Sequence, residues 1–350
     1  MTSAPLSPVE LGLRIAALPR ERLAVLPTGV HELRRLGRQL GGGHLYVKRD
    51  DLTGIALGGN KSRAMEFILG DARASGCDVL VAGGGVEQSN HAVQCAASAN
   101  RAGLEAVLVL QRRSGARSNG NALLRELIGG RTIWMDADPE IHDRMSAGAT
   151  MRQVADELVA SGRHPYVLES SLHPLSVIGY VEAARELNEQ LPSTPEAPLR
   201  VYITSEGSAL GGLLLGSRVL GLSWEVIGLD WRPQEQGTTG VLQGLTDAAA
   251  SRLGLANPLQ ERDITILPTG GPAYGVGNTE SWAALSMLAR LEGLVLDPVY
   301  TAKGMAGALD DLRRRPLPPE GRAVFVHTGG IPATFAYEPE IHEYLKELAR

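Results

Sequence analysis

Apolar residues along this chain alternate between two patterns. Short runs rich in Val, Ile and Leu, without period-two alternation, are each followed by a longer segment with helical spacing. The runs predict strands over 45–48, 79–82, 106–110, 132–135, 166–168, 200–204, 225–229, 263–267 and 323–327. The longer segments predict helices over 63–74, 90–102, 119–128, 147–160, 177–191, 210–220, 242–253, 279–291, 304–314 and 341–349. This alternation implies an α/β fold of open, mostly parallel sheets flanked by helices, because strands covered on both faces read as continuous apolar runs. The stretch Leu191-Pro-Ser-Thr-Pro-Glu-Ala-Pro198 reads as a surface connection or a boundary, with the strands before it and after it forming two groups. The arm up to Asn60 could join either group.

Composition narrows the class. At 350 residues and 43% hydrophobic content the chain can fill a core, with two domains the natural prior at roughly 100–200 residues each. A net charge of -5 and the lack of aromatic-basic interleaving argue against a nucleic-acid partner. Arg112, Arg113 and Arg117 lie among Ser and Gly and read as a solvated loop. Two widely separated cysteines, Cys77 and Cys95, point to a reduced, intracellular protein, expected in the cytoplasm. Residues 1–10 lack a signal-peptide pattern, and no apolar run is long enough for a bilayer, so no membrane partner is expected. The apolar stretch 209–222, interrupted by five residues of Gly and Ser, reads as a buried helix that begins at a glycine loop.

Four strand ends carry candidate chemistry, and loops at the carboxyl ends of strands can converge on one ligand. The first leads through Gly58-Gly-Asn-Lys-Ser-Arg63 to Lys61 at a helix start. The positive dipole end there disfavours the ammonium form, and a lysine that is neutral more often can form a Schiff base with a carbonyl; a solvated first-turn lysine is the plain alternative. The second, Ala82-Gly-Gly-Gly-Val-Glu-Gln-Ser-Asn-His91, ends in free backbone amides and Ser89, suited to a carboxylate or phosphate; Ser89 or Asn90 could equally be an ordinary N-cap, and His91 a structural histidine. The third, Thr204-Ser-Glu-Gly-Ser-Ala-Leu-Gly-Gly212, could cradle a phosphate or simply allow close helix–strand packing. It is neither a Walker loop, nor GxGxxG, nor a nucleophile elbow. The fourth delivers Thr328 in His327-Thr-Gly-Gly330, where a hydroxyl can bond a ring nitrogen.

Tyr274 and Tyr300 lie in loops rich in Gly and Pro and could pack, stack or transfer a proton. The adjacent Asp50 and Asp51 read as loop-orienting acids. No spacing of His, Cys, Asp and Glu suggests a metal.

Together and in this order, Lys48-Arg-Asp-Asp-Leu52, Gly58-Gly-Asn-Lys-Ser-Arg63, Gln88-Ser-Asn-His91, Leu291-Glu-Gly-Leu-Val-Leu-Asp-Pro-Val-Tyr300 and His327-Thr-Gly-Gly330 resemble the D-cysteine desulfhydrase and 1-aminocyclopropane-1-carboxylate (ACC) deaminase family. These are pyridoxal 5'-phosphate (PLP) enzymes of the tryptophan-synthase-β fold group, and the likeness runs from about residue 26 to 337. It implies two α/β domains with PLP in the cleft between them, usually in homodimers: 1–60 with 176–350 as the large PLP-binding domain and 61–175 as the small one. It implies that Lys61 forms the internal aldimine, that Asn90 bonds the cofactor's phenolic oxygen, and that Ser89 holds the substrate carboxylate and moves protons. It implies that the loop Gly207, Ser208, Ala209, Leu210, Gly211 binds the phosphate, that Thr328 faces the pyridine nitrogen, and that His91, Tyr274, Tyr300 and Thr301 line the substrate side. The activity implied is Cα deprotonation and β-elimination from a small amino acid, giving a 2-oxo acid and ammonia. A threonine after the second tyrosine resembles the desulfhydrase branch, a glutamate the ACC deaminase branch; here it is Thr301.

The chain also departs from its relatives. Glu169-Ser-Ser-Leu-His-Pro174 stands where they have Gly-Gly-Ser-Asn, and the second loop carries an extra residue before Gln88. The phosphate loop is one residue shorter and has Leu210 in place of threonine; Ala273, Ala302 and Trp231 are further changes. A retained cofactor apparatus with an altered substrate pocket is expected, and an amino acid with a different β- or γ-substituent fits at least as well as D-cysteine. Ring opening, β-replacement and racemisation are the competing PLP reactions, and a non-catalytic PLP-binding homologue is the competing class.

Overall fold

The computed structural model describes residues 4–112, 117–136, 144–205, 207–230, 238–269 and 275–350. The chain runs α1 (Pro8–Ala16), β1 (Val30–Glu32), α2 (Arg34–Gln39), β2 (His44–Lys48), α3 (Lys61–Ala74), β3 (Val79–Val86), α4 (Asn90–Ala102), β4 (Glu105–Arg112), α5 (Asn121–Ile128), β5 (Arg131–Asp136), α6 (Arg144–Ala160), β6 (Pro165–Leu168) and α7 (Pro174–Gln190). It continues through β7 (Leu199–Ile203), α8 (Ser208–Val219), β8 (Trp224–Asp230), α9 (Thr238–Arg252), β9 (Thr265–Pro268), α10 (Thr279–Glu292), α11 (Thr301–Arg314), β10 (Arg322–Val326) and α12 (Glu338–Leu348).

The strands form two sheets, in the orders β1-β2-β10-β7-β8-β9 and β5-β4-β3-β6. Every pairing is parallel except β1 with β2. The fold is therefore α/β with two mostly parallel sheets. Each strand and helix anticipated from apolar spacing is present. Three elements lacked that signal. β1 is three residues long and only partly buried, while α1 and α2 precede the alternating pattern. α1 is instead marked by local chemistry: Ser7 and Glu10 form a capping box and Pro8 stands at its first turn.

The N-terminal arm joins the strands that follow the proline-rich stretch. β2 lies against β10, with Val47 opposite Phe325 and Lys48 opposite Val326. Leu45 and Val47 turn one face of β2 into the core that includes Phe325, and the partly buried Tyr46 packs on the other face. One apolar core continues from Ile68 of α3, Leu80 of β3 and Leu108 of β4 through Val177 and Val181 of α7 to Leu215 of α8. Helices that flank the two sheets thus share a single packed layer, which holds the sheets' carboxyl edges in a set relation.

Candidate active site

Lys48 of β2, Val326 of β10 and Ile203 of β7 lie in register across three adjacent strands. Their outgoing loops therefore emerge side by side at the carboxyl edge of the larger sheet. Facing them, β3 carries Gly83, Gly84 and Gly85 just before its last residue, Val86, and α4 follows. Between these edges lies a cleft whose walls include Lys61, Ser89, Asn90, Ala209, Tyr300 and Thr328.

Lys61 is the first residue of α3, and the turn that places it is tied on three sides. The Thr53 hydroxyl accepts from the Gly59 N–H at 2.8 Å and donates to the Gly59 carbonyl at 2.8 Å. Gln94 of α4 accepts from the Ser62 N–H at 2.9 Å and donates to the Gly58 carbonyl at 3.2 Å. The Asn60 N–H donates to the carbonyl of Thr328 at 3.0 Å. Lys61 also lies near Cys95, whose buried thiol is pushed up to about 12 by desolvation, with the lysine charge pulling the other way.

A buried ionic set braces the same helix from below. Arg63 donates to Asp50 at 2.8 and 2.9 Å and to Glu186 at 3.0 and 3.1 Å. Lys48 pairs with Glu186 and donates to the Thr28 carbonyl at 2.7 Å; Tyr180 donates to Asp50 at 2.8 Å. Burial pushes the Asp50 and Glu186 carboxyls up, but the Arg63 guanidinium and Lys48 ammonium, with their hydrogen bonds and that of Thr28 to Asp50, together outweigh it and hold both below their ordinary values. Burial dominates at Lys48 and lowers its ammonium despite Glu186 and Asp50. The set joins the end of β2, the first turn of α3 and the middle of α7. Asp50 is thus an ion-pair partner beneath the lysine helix.

Ser89 is the N-cap of α4, its Oγ accepting from the Ala92 N–H at 3.2 Å, which leaves the hydroxyl hydrogen to donate. Asn90 and His91 follow in the first turn and line the cleft. Thr328 is buried beside Gly329, whose N–H donates to His327 Nδ1 at 3.2 Å, so that His327 Nε2 carries the proton it donates to the Val295 carbonyl at 2.9 Å.

The glycine loop after β7 is used unevenly. α8 starts at Ser208, and Gly207, Ser208 and Ala209 line the cleft. The Ser205 hydroxyl accepts from the N–H groups of Gly207 at 3.2 Å and Leu210 at 3.4 Å. The Ser208 hydroxyl faces away, donating to the Ser171 carbonyl at 3.0 Å. Leu210 and Gly211 depart from expectation. The Leu210 side chain is fully buried in the core, and the Gly211 N–H is already spent on the Gly207 carbonyl at 2.9 Å, because the helix begins three residues before it.

Thr301 is also placed differently from the expected substrate contact. It is 0% exposed, and its hydroxyl donates to Asp297 Oδ1 at 2.7 Å and accepts from the Asp297 N–H at 2.8 Å. Asp297 also accepts from the N–H groups of Val299 and Tyr300 at 2.9 Å each. Burial raises the Asp297 carboxyl above its ordinary value against these bonds. Thr301 thus holds the turn that presents Tyr300. Tyr274 and Trp231 lie outside the described residues.

Sequence reasoning missed Tyr180, which also lines the cleft, and placed Thr204 in the third loop without singling it out. Tyr180 sits within an apolar helical run and carries no local sign of a site. Thr204 directly follows β7, and its Oγ1 is buried against Gly304 of α11 without a partner among the described residues. The departures at 169–172 were legible, and they form one wall: Leu172 leans on Gly207, where a Cβ would come within 2.4 Å of its Cδ2.

These features fit an anionic cofactor that carries a carbonyl: a helix N-terminus, the Ser205 and Thr328 hydroxyls and a lysine share one cleft. A model of the family described as "Pyridoxal-phosphate dependent enzyme" matches residues 21–329. The chain belongs to this family. Its cofactor is PLP, and Lys61, Ser205, Ala209 and Thr328 are cleft residues that could hold it. The chain is 36% identical over 337 residues to a D-cysteine desulfhydrase of Klebsiella pneumoniae (strain 342), across 93% of this chain and 98% of that one. It is 35% identical over 335 residues to the D-cysteine desulfhydrase of Yersinia pestis (strain Pestoides F), across 94% and 98%. Among solved structures it is similar to an ACC deaminase homologue, with a TM-score of 0.86, 31% identity and coverage of 96% and 99%. Threonine deaminase isoform 2 of Solanum lycopersicum, at 14% identity and a TM-score of 0.67 over 98% of this chain and 90% of that one, shares the fold. No helix among the described residues is long and apolar enough to cross a membrane.

Proposed function

We propose that this PLP enzyme is a lyase. It removes the Cα proton of a small amino acid and expels a β-substituent, and water then releases a 2-oxo acid and ammonia. The observation that carries the reading is the convergence of Lys61, Ser89, Asn90, Tyr300, Thr328 and the start of α8 on one cleft. Bound PLP supplies the electron sink for charge developed at Cα. Lys61 Nζ would hold the cofactor and, when free of it, would take the Cα proton. The Ser89 hydroxyl and the first-turn amides of α4 bind the substrate carboxylate, where the helix dipole favours an anion. The N-terminus of α8 would hold the phosphate, with Thr204 in the same wall. The Thr328 hydroxyl would face the ring nitrogen as a neutral partner, which would limit delocalisation into the ring and favour loss of the β-substituent. Tyr274 and Tyr300 complete the substrate side.

The wall 169–172 replaces the turn of the relatives and borders the phosphate loop, so we assign substrate choice to it and expect a β-substituent other than a bare thiol. We also assign residues 1–60 and 176–350 to the large domain and 61–175 to the small one. The membership of β2 in the larger sheet and of β3 to β6 in the smaller supports this division. A cytoplasmic homodimer completes the reading.

The test is an absorbance spectrum of the purified chain with PLP, followed by assay of 2-oxo acid and ammonia release across D- and L-amino acids and ACC. A band from lysine-bound PLP, lost in Lys61→Ala, and oxo-acid release from a β-substituted amino acid are expected. No band after PLP addition, or a band unchanged in Lys61→Ala, would sink the reading. A band without turnover of any amino acid would make the chain a PLP-binding homologue instead.

A further inference from the structure

We propose that Asn121 is a positioning residue. It turns the Asn90 amide so that its NH2 faces the cleft, and it thereby selects a hydrogen-bond acceptor there: the phenolic oxygen of the cofactor ring. This rests on the PLP reading above.

Asn121 opens α5, is 2% exposed, and lies outside the cleft wall. Its polarity is dictated by the backbone. Nδ2 donates to the carbonyl oxygen of Gln88 at 3.0 Å, and a carbonyl only accepts, so the amide cannot be turned round. The same NH2 group donates its second hydrogen to Asn90 Oδ1. Asn90 must therefore present its oxygen to Asn121, which leaves Nδ2 as the donor on the cleft side. A reversed Asn90 would set two NH2 groups against each other and strand a buried donor, an arrangement disfavoured by about tenfold or more.

Gln88 locks the relay from the other side, and again backbone groups decide its sense. Its Oε1 accepts from the Asn121 N–H at 3.0 Å, so its Nε2 donates, to the carbonyls of Asn119 at 2.9 Å and Arg117 at 3.1 Å. That segment is fastened to the chain before and within α12. Asn119 Nδ2 donates to the Phe335 carbonyl at 2.8 Å, and Arg117 makes a two-pronged pair with Glu340 at 2.9 Å. The polarity of the cleft amide is thus set by Asn121 and the Gln88 carbonyl, while the Gln88, Asn119 and Arg117 side chains hold the backbone of Asn121 in place. Space beside that amide is kept by Gly330, at φ +91°, where a Cβ would stand 2.7 Å from Asn90 Nδ2.

A donor aimed at the phenolic oxygen makes a specific prediction about binding. PLP should bind the unaltered chain at least about tenfold more tightly than an analogue that lacks the 3-hydroxyl group. In Asn121→Asp the side chain only accepts, so Asn90 turns its NH2 towards it and offers an oxygen to the cleft. The preference for PLP over the 3-deoxy analogue should then fall towards one, read by equilibrium dialysis and absorbance titration. In Asn121→Ala, which frees Asn90 to turn, the preference should fall in part; this variant serves if the aspartate form does not fold by circular dichroism. A purely structural role predicts the other result: affinity for both ligands drops together and their ratio stays. An unchanged ratio in the folded variant overturns the assignment and leaves the PLP reading intact. Failure of the unaltered chain to bind either ligand overturns both.

Discussion

The Asn60 N–H donates to the carbonyl of Thr328 across 3.0 Å, and the neighbouring glycines Gly59 and Gly329 form a β-bridge. The loop that delivers Lys61 and the loop that delivers Thr328 are therefore one piece of backbone. The proposed Schiff-base lysine and the proposed partner of the ring nitrogen, 267 residues apart in number, are held at a distance set by main-chain geometry.

Gly329→Ala attacks that bridge. Gly329 has φ +90°, and an added Cβ would stand 2.5 Å from the Gly59 Cα. The strained conformation alone costs about 1–3 kcal/mol, and the clash moves the Lys61 turn. A lower unfolding midpoint together with weaker PLP uptake is expected in thermal melts and absorbance titrations. A variant with both unchanged would show that the bridge does not position the lysine.

Thr204→Val separates binding from folding. The buried hydroxyl has no partner among the described residues, so a nearly isosteric apolar group should leave the cofactor-free protein as stable or more so. If the hydroxyl bonds the cofactor, PLP affinity should fall about tenfold. Paired measurements of urea unfolding without PLP and of PLP binding check this, and equal affinity for the two proteins would remove Thr204 from the site.

Thr301→Glu tests what the residue after Tyr300 does. The position is fully buried against Asp297, so a second carboxylate there is both desolvated and beside a like charge. Loss of several kcal/mol of stability is expected in place of a clean change to ring opening. A folded Thr301→Glu protein of unaltered stability that opens the ACC ring would restore Thr301 to direct substrate contact.

Arg63→Leu removes the centre of the buried ionic set and leaves Asp50 and Glu186 facing each other with one cation. A destabilisation of about 3–5 kcal/mol is expected in denaturant titrations. A change below about 1 kcal/mol, the range of surface pairs, would mean that the set relaxes into water.

Acid should destabilise the protein through the same carboxyls. Asp50 and Glu186 sit below their ordinary values of 3.8 and 4.5 in the folded state, so folding favours their ionised forms. Their contribution is present in full above about pH 4.5 and is lost as the pH falls through the folded-state values. Unfolding midpoints measured from pH 7 down to 3 should drop most steeply below pH 4.5. A flat profile would contradict the lowered values.

Much of the fold was legible because its signal is local. Apolar runs mark buried parallel strands and helical spacing marks the covering helices, whatever lies elsewhere in the chain. β1 was invisible for the same reason: three half-buried residues carry no periodicity, and only the edge of β2 makes them a strand. Lys61, Ser89, Asn90 and Thr328 were legible as strand-end and helix-start residues, and their order gave the resemblance that implied PLP. Leu210, Gly211 and Thr301 were not placed by that reasoning. Whether a residue next to a site faces it depends on where a helix starts and which neighbour its hydroxyl finds.

The sequence by itself determined the class of the protein: strands and helices in alternation, a lysine at a helix mouth, and four polar loops at strand ends. Only the tertiary structure decided that β2 belongs with β10, that Asn60 and Thr328 share a hydrogen bond, and that Asn121 turns Asn90. The physical reason is that such relations join groups 31 to 278 residues apart. Spacing along the chain reports which face of an element a residue occupies. It does not report which distant carbonyl, carboxylate or amide will meet that residue, and hydrogen-bond polarity in the cleft is settled by those meetings.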